Sequence, residues 1–186
     1  MLQRIIPATG EPLPSVGLGT YGAFDIDASD TQRRGPQAVL GTLVASGGKL
    51  VDSSPLYGRA EGVVGDLQAS LSLRPQLFLA TKVWTSGREA GIHQMERSLA
   101  LMRTATMDLM QVHNLVDWRT HTATLKAWKE QGRVRDIGVT HYHAGAHADL
   151  EKLLRASMKA LKSGTVPGML IPLRTAGRPA TRSYQR

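Results

Sequence analysis

Apolar residues in this chain gather in short runs. Each run ends on a polar or glycine-rich position and is followed by a longer stretch. SVGLGT (15–20) ends at Thr20, KLVD (49–52) at Asp52, LFLATK (77–82) at Lys82, MDLMQVH (107–113) at His113, and VRDIGVT (134–140) at Thr140. These ends lie 32, 30, 31 and 27 residues apart, the length of one strand–helix–strand step. Between them, AEGVVGDLQASL (60–71) sets Val63, Val64 and Leu67 on one face at helical spacing. REAGIHQMERSLALMR (88–103) does the same with Ile92, Met95, Leu99 and Met102. THTATLKAWKEQG (120–132) carries Leu125 and Trp128 and stops at Gly132, a C-cap signal. HADLEKLLRA (147–156) predicts a fifth helix. Ahead of the first run, RIIPATGEPLPSV (4–16) predicts a hairpin turning at Thr9 and Gly10, with prolines that confine it to an edge.

Strands alternating with helices at this rhythm predict a parallel sheet, either open or closed into a barrel. GLGTYG (17–22) misses the G-x-G-x-x-G spacing of a dinucleotide-binding turn. The polar residues collect instead at the C-terminal strand ends, where a barrel builds its site. The fold class expected is therefore α/β: an incomplete (β/α)8 TIM barrel with an N-terminal hairpin, about five βα units and an irregular basic C-terminal tail.

Composition changes this picture only at the end of the chain. Its 186 residues, 41% hydrophobic and 20% charged, predict a single globular core. There is no cysteine, so disulfides and thiolate metal sites are excluded. MLQRIIPATG lacks the apolar core of a signal peptide and no run reaches membrane-spanning length, so the cytoplasm and no membrane partner are expected. The net charge is +8, of which Lys159, Lys162, Arg174, Arg178, Arg182 and Arg186 contribute +6 with no acid among them. A basic tail can bind nucleic acid, but this one has no aromatic beyond Tyr184 and no reading motif, so none is expected as a partner. Composition breaks near Ala156, inside the expected fifth helix. The chain thus divides into a partial barrel (1–156) and a disordered tail (157–186), explained by a frame shift or truncation, or by a divergent tail. A five-stranded arc leaves two unpaired edges, which invites self-association.

If the strands are neighbours in order, Asp52, Lys82 and His113 share one rim, and Tyr57 reaches over from the loop VDSSPLYGRAE (51–61). An inward lysine needs a partner, and Asp52 is the natural one. A nearby ammonium is expected to lower the phenol pKa from about 10. The group then suits protonation of a carbonyl oxygen as its carbon receives a hydride, with His113 bonded to that oxygen. Taken singly, the same residues also read as a helix cap, a turn aromatic, a strand-end lysine and a core histidine.

GLGTYG, VDSSPLYGRAE, LATKVW (79–84), DLMQVHN (108–114) and GRVRDIGVTHY (132–142), in this order and spacing, make residues 4 to 156 resemble the aldo-keto reductase family. The resemblance implies a (β/α)8 barrel that reduces aldehydes or ketones with NADPH. It implies Tyr57 as general acid, Lys82 as its partner, Asp52 as the anchor of the lysine and His113 as the residue orienting the carbonyl. It sets Thr20, Tyr21 and Asp52 at the nicotinamide end of NADPH, and Thr140 and His141 at its carboxamide, where the family usually has asparagine in place of His141. Loss of the C-terminal half of the barrel is expected to impair a small-molecule carbonyl reductase of this kind. The alternative is a non-catalytic half-barrel that serves interaction or dimerisation. Trp84 and Trp118 either line a substrate pocket or cover the barrel mouth. The histidines of HYHAGAH (141–147) are set aside as a metal site, because glycine and alanine between ligands fix no geometry.

Overall fold

The computed structural model describes residues 1–6, 9–27, 29–162 and 169–170. Strands β1 (Gln3–Ile5) and β2 (Pro12–Pro14) form the antiparallel hairpin, with Arg4 opposite Leu13. Gly10 turns it at φ 73°, a conformation open to glycine. There follow β3 (Leu18–Gly19), α1 (Asp30–Ala45), β4 (Leu50–Asp52), α2 (Ala60–Ser70), β5 (Phe78–Val83) and α3 (Arg88–Leu101). The series closes with β6 (Met107–His113), α4 (Trp118–Glu130), β7 (Val134–Thr140), α5 (His147–Lys162) and β8 (Met169–Leu170). Strands β3 to β8 pair in sequence order, all parallel, as one sheet.

The expected five βα units are present, with three differences. The first strand shrinks to two residues, and Gly17 before it packs so closely that a Cβ there would sit 2.8 Å from the Leu50 side chain. Helix α1 has no counterpart among the expected helices, because Gly35, Pro36 and Gly41 break its pattern. Helix α5 also runs past Ala156 to Lys162, and β8 adds a sixth strand beside β7, with Ile137 opposite Met169. Helix α5 thus crosses the compositional break at Ala156. The rest of the expected tail lies outside the described residues.

Every residue of β5 and β6 is buried, as central parallel strands require. Period-2 alternation divides their side chains between two apolar layers. Leu79, Val83, Met110 and Val112 pack in a cluster that includes Val64, Met95 and Leu125 of the helices. Phe78, Ala80 and Leu109 instead join Ile6 and Leu13 of the hairpin on the other side. The second layer continues toward the strand ends through Lys82, opposite Gln111, and His113, opposite Thr140. Alternation thus delivers the polar groups to one rim.

Helices α2 and α3 meet at Gly65, where an added Cβ would lie 1.9 Å from the Leu101 carbonyl oxygen. Gln68 Nε2 ties the same junction by donating to the Met102 carbonyl at 3.2 Å. Gly65→Ala is therefore expected to lower stability by about 1–3 kcal/mol through overpacking. Gly35→Ala, at an exposed position of α1 with nothing within 4 Å, is expected to lose none. Urea midpoints of the two variants check this.

Candidate active site

The rim is organised around one buried cation. Lys82, 4% exposed, projects from β5 into the layer that the hairpin closes from below. Its Nζ donates to Asp52 Oδ2 at 2.7 Å and to the Ser53 carbonyl at 2.6 Å. Asp52 ends β4, so the register that places Asp52 opposite Ala80 also brings its carboxylate to the ammonium. Gln111, on the β6 face shared with His113, donates from Nε2 to Asp52 Oδ1 at 3.2 Å. Thr20 is fully buried, and its Oγ1 lies 3.1 Å from the Asp52 carbonyl and 3.0 Å from Ser53 Oγ. Thr20 therefore braces the end of β4.

Proline and two serines end the strand, and the chain turns through Tyr57, whose N–H donates to the Ser54 carbonyl at 3.0 Å. That turn carries the half-buried phenol ring over Lys82, with Nζ 5.1 Å from the ring centre. Tyr21, 78% exposed, meets Tyr57 edge-on at 5.1 Å between centres. The expected lowering of the phenol pKa is not found. Burial, the Asp52 carboxylate and Tyr21 together raise it above the usual tyrosine value. The physical reason is desolvation first and the Asp52 carboxylate second, both of which favour the neutral phenol over the phenolate.

His113 ends β6, nearly enclosed. Burial, the Lys82 charge and His141 lower its pKa from 6.5 to about 4. Its Nδ1 lies 3.4 Å from Ser54 Oγ, and that oxygen also accepts from Leu56 N at 3.2 Å. Asp52, Tyr57, Lys82 and His113 are thus brought together by three adjacent strands and one loop.

The other expected residues hold rim positions at greater remove. Thr140 ends β7 and its carbonyl accepts from Asn114 N at 2.7 Å. His141 Nδ1 accepts from His143 N, and His143 Nδ1 from Gly145 N, both at 3.0 Å. Trp84 follows β5 with its backbone held by Gln94 at 2.6 and 3.1 Å. Trp118 opens α4 with the Arg119 guanidinium 4.4 Å over its ring. Neither indole is in ring contact with Tyr57.

Several participants escaped the sequence reading. Ser53, Ser54 and Gln111 stood inside stretches singled out for their neighbours, and the shared face of Gln111 and His113 was the usable signal. Glu61 is 2% exposed and accepts from Thr81 Oγ1 at 2.5 Å, and burial raises its pKa. A cavity of about 570 Å³ lies beside it between α2 and α3, lined also by Pro55 and Gly58 of the Tyr57 loop.

Comparison with known proteins agrees with this fold. The model of the Aldo/keto reductase family matches residues 15–163. Methylglyoxal reductase YeaE of Escherichia coli (strain K12) is 33% identical over 160 residues, 82% of this chain and 54% of that protein. An aldo-keto reductase of Mycobacterium sp. (strain KMS) is 30% identical over 139 residues, 72% of this chain and 48% of that protein. The aldo-keto reductase from Klebsiella pneumoniae, solved in complex with NADPH, shares the fold at a TM-score of 0.66 and 24% identity, over 78% of this chain and 52% of that one. The chain spans about half the length of the curated relatives it matches. No helix among the described residues is long and apolar enough to cross a membrane.

The His113 shift has a consequence for stability. Between pH 6.5 and about 4 the unfolded chain takes up a proton at this ring that the folded chain resists. Stability contributed by the neutral ring is therefore present above pH 6.5 and lost as pH falls toward 4. Urea unfolding across that window is expected to be less pH-dependent in His113→Asn than in the parent. Equal slopes would contradict the buried, neutral imidazole.

Proposed function

Because the chain belongs to the aldo/keto reductase family, we propose that it carries the proton-donating site of a cytoplasmic, NADPH-dependent reductase of small aldehydes or ketones. The observation that supports this best is the Asp52–Lys82 pair beneath the Tyr57 ring, with a neutral histidine on the next strand. The likeness to a methylglyoxal reductase supports a small carbonyl substrate, with Trp84 and Trp118 as walls of its pocket.

The raised pKa keeps the Tyr57 phenol protonated through neutral pH, so its O–H can donate to a carbonyl oxygen. Lys82 then faces the phenolate left behind, and Asp52 keeps the lysine in place through the transfer. Ser54 Oγ accepts from Leu56 N and is free to donate its own proton to His113 Nδ1. That puts the ring proton on Nε2, a donor for the same substrate oxygen.

The residues fit the nicotinamide end of the cofactor. Gln111 Oε1 and Asn114 Oδ1 are buried acceptors without a partner, which a carboxamide NH2 would satisfy. Tyr21 offers an exposed ring at the rim, with Thr140 and His141 across it. Bound there, NADPH supplies the hydride.

In this reading the chain by itself consumes NADPH with methylglyoxal, more slowly than its longer relatives. Tyr57→Phe is expected to lower that rate by about 10²–10⁴-fold, followed by the loss of NADPH absorbance. Undiminished turnover in Tyr57→Phe contradicts the proton-donor role. A second reading, a non-catalytic half-barrel that pairs with another copy, draws on β3 and β8 at the two edges of the described sheet. Its mark is concentration-dependent sedimentation without NADPH binding.

A further inference from the structure

Two rim loops are locked together by charges that neither Asp52 nor Lys82 touches. The loop after β3 carries Tyr21, then Phe24, which is sunk in the core, then Asp25 and Asp27. The loop after β4 carries Tyr57, Gly58 and Arg59. Asp25 Oδ1 accepts from both the backbone N and the side-chain Nε of Arg59, each at 3.1 Å. Arg59 NH1 is paired with Asp27 Oδ1, and Asp27 N is held in turn by Gln32 Oε1 at 2.7 Å.

Two further observations show that this approach is built into the loops. Helix α2 begins after Arg59 with no side-chain cap of its own, and the Asp25 carboxylate takes the Arg59 N–H at its N-terminus. Anion and helix dipole then favour each other. Gly58 has φ +60°, and a Cβ there would lie 2.4 Å from the Asp25 carboxyl. Glycine at 58 is what lets the carboxylate come so close. The Tyr21–Tyr57 edge contact lies on the same two loops, so the tie that joins them also fixes one ring against the other.

We infer that Asp25, Gly58 and Arg59 form an inter-loop clamp whose task is to position the Tyr57 phenol against Tyr21 and over Lys82. These are positioning residues. Their effect on turnover rests on the reductase reading above; their effect on the phenol does not.

The test replaces tyrosine with 3-fluorotyrosine throughout and follows ¹⁹F resonances, assigned by Tyr→Phe substitution. The chain has four tyrosines, and Tyr142, exposed and beyond β7, is the internal control. Asp25→Asn is expected to shift or broaden the Tyr57 and Tyr21 resonances and leave that of Tyr142 unmoved. Gly58→Ala should do the same through the steric route, and Asp25→Glu should recover part of the parent spectrum. High salt should mimic Asp25→Asn, because the pair is half exposed and therefore screened. Where the parent turns over, kcat in Asp25→Asn should fall on the order of tenfold with KM little changed. A Tyr57 resonance with unchanged shift and width in Asp25→Asn overturns the clamp. A parent chain without turnover would overturn the reductase reading alone, since the fluorine signal needs no reaction.

Discussion

An ammonium group cannot be taken out of water without a counter-charge and acceptors close at hand, and Lys82 has been taken almost wholly out of water. That requirement explains much of the rim around it. Asp52 must stand at the end of β4, in register with β5, to reach Nζ. The Ser53 carbonyl must point inward, so the chain leaves the strand there and turns. Gln111 must lie on the same face of β6 to hold the second carboxylate oxygen. Thr20 completes the brace by tying β3 to the end of β4. Once these partners are in place, the turn after Ser54 brings Tyr57 across the cation.

The same constraint sets the electrostatics of the groups nearby. Burial first, and then the Asp52 carboxylate, raise the Tyr57 pKa. The Lys82 charge helps to keep His113 neutral, in the same direction as the burial of that ring. One phenol that stays protonated and one imidazole that stays uncharged form a pair of donors suited to an oxygen on which negative charge develops. The two apolar layers beneath the rim provide the rigidity this needs. The helix-side layer fixes the strands, and the hairpin closes the other layer with Ile6 and Leu13.

Much of this was legible before any coordinates, for definite reasons. Buried parallel strands must be apolar runs, and a barrel-like rim must be where they turn polar, so Asp52, Lys82 and His113 stood out by position alone. Other features were not legible because they depend on burial or on distant partners. The sign of the Tyr57 shift turns on how far the folded chain buries the ring and on the carboxylate beside it. Helix α1 was hidden by Gly35, Pro36 and Gly41, whose cost is met by burying Leu40 in the core. Helix α5 ignores the break at Ala156 because helical hydrogen bonds are local and residues 157–162 include good helix formers. The Asp25–Arg59 contact joins loops 34 residues apart and leaves no periodic trace.

The measurement that bears most directly on the buried cation is equilibrium urea unfolding of two single variants, Asp52→Asn and Lys82→Met. Removing the carboxylate leaves an ammonium buried without its counter-charge. Replacing the lysine by a side chain of similar length leaves only a carboxylate that is 35% exposed, which water can reach. Anchoring of Lys82 by Asp52 predicts that Asp52→Asn is the more destabilising, by up to about 3 kcal/mol, with Lys82→Met near neutral. Equal losses, or a larger loss in Lys82→Met, would contradict the dependence of the rim on this pair.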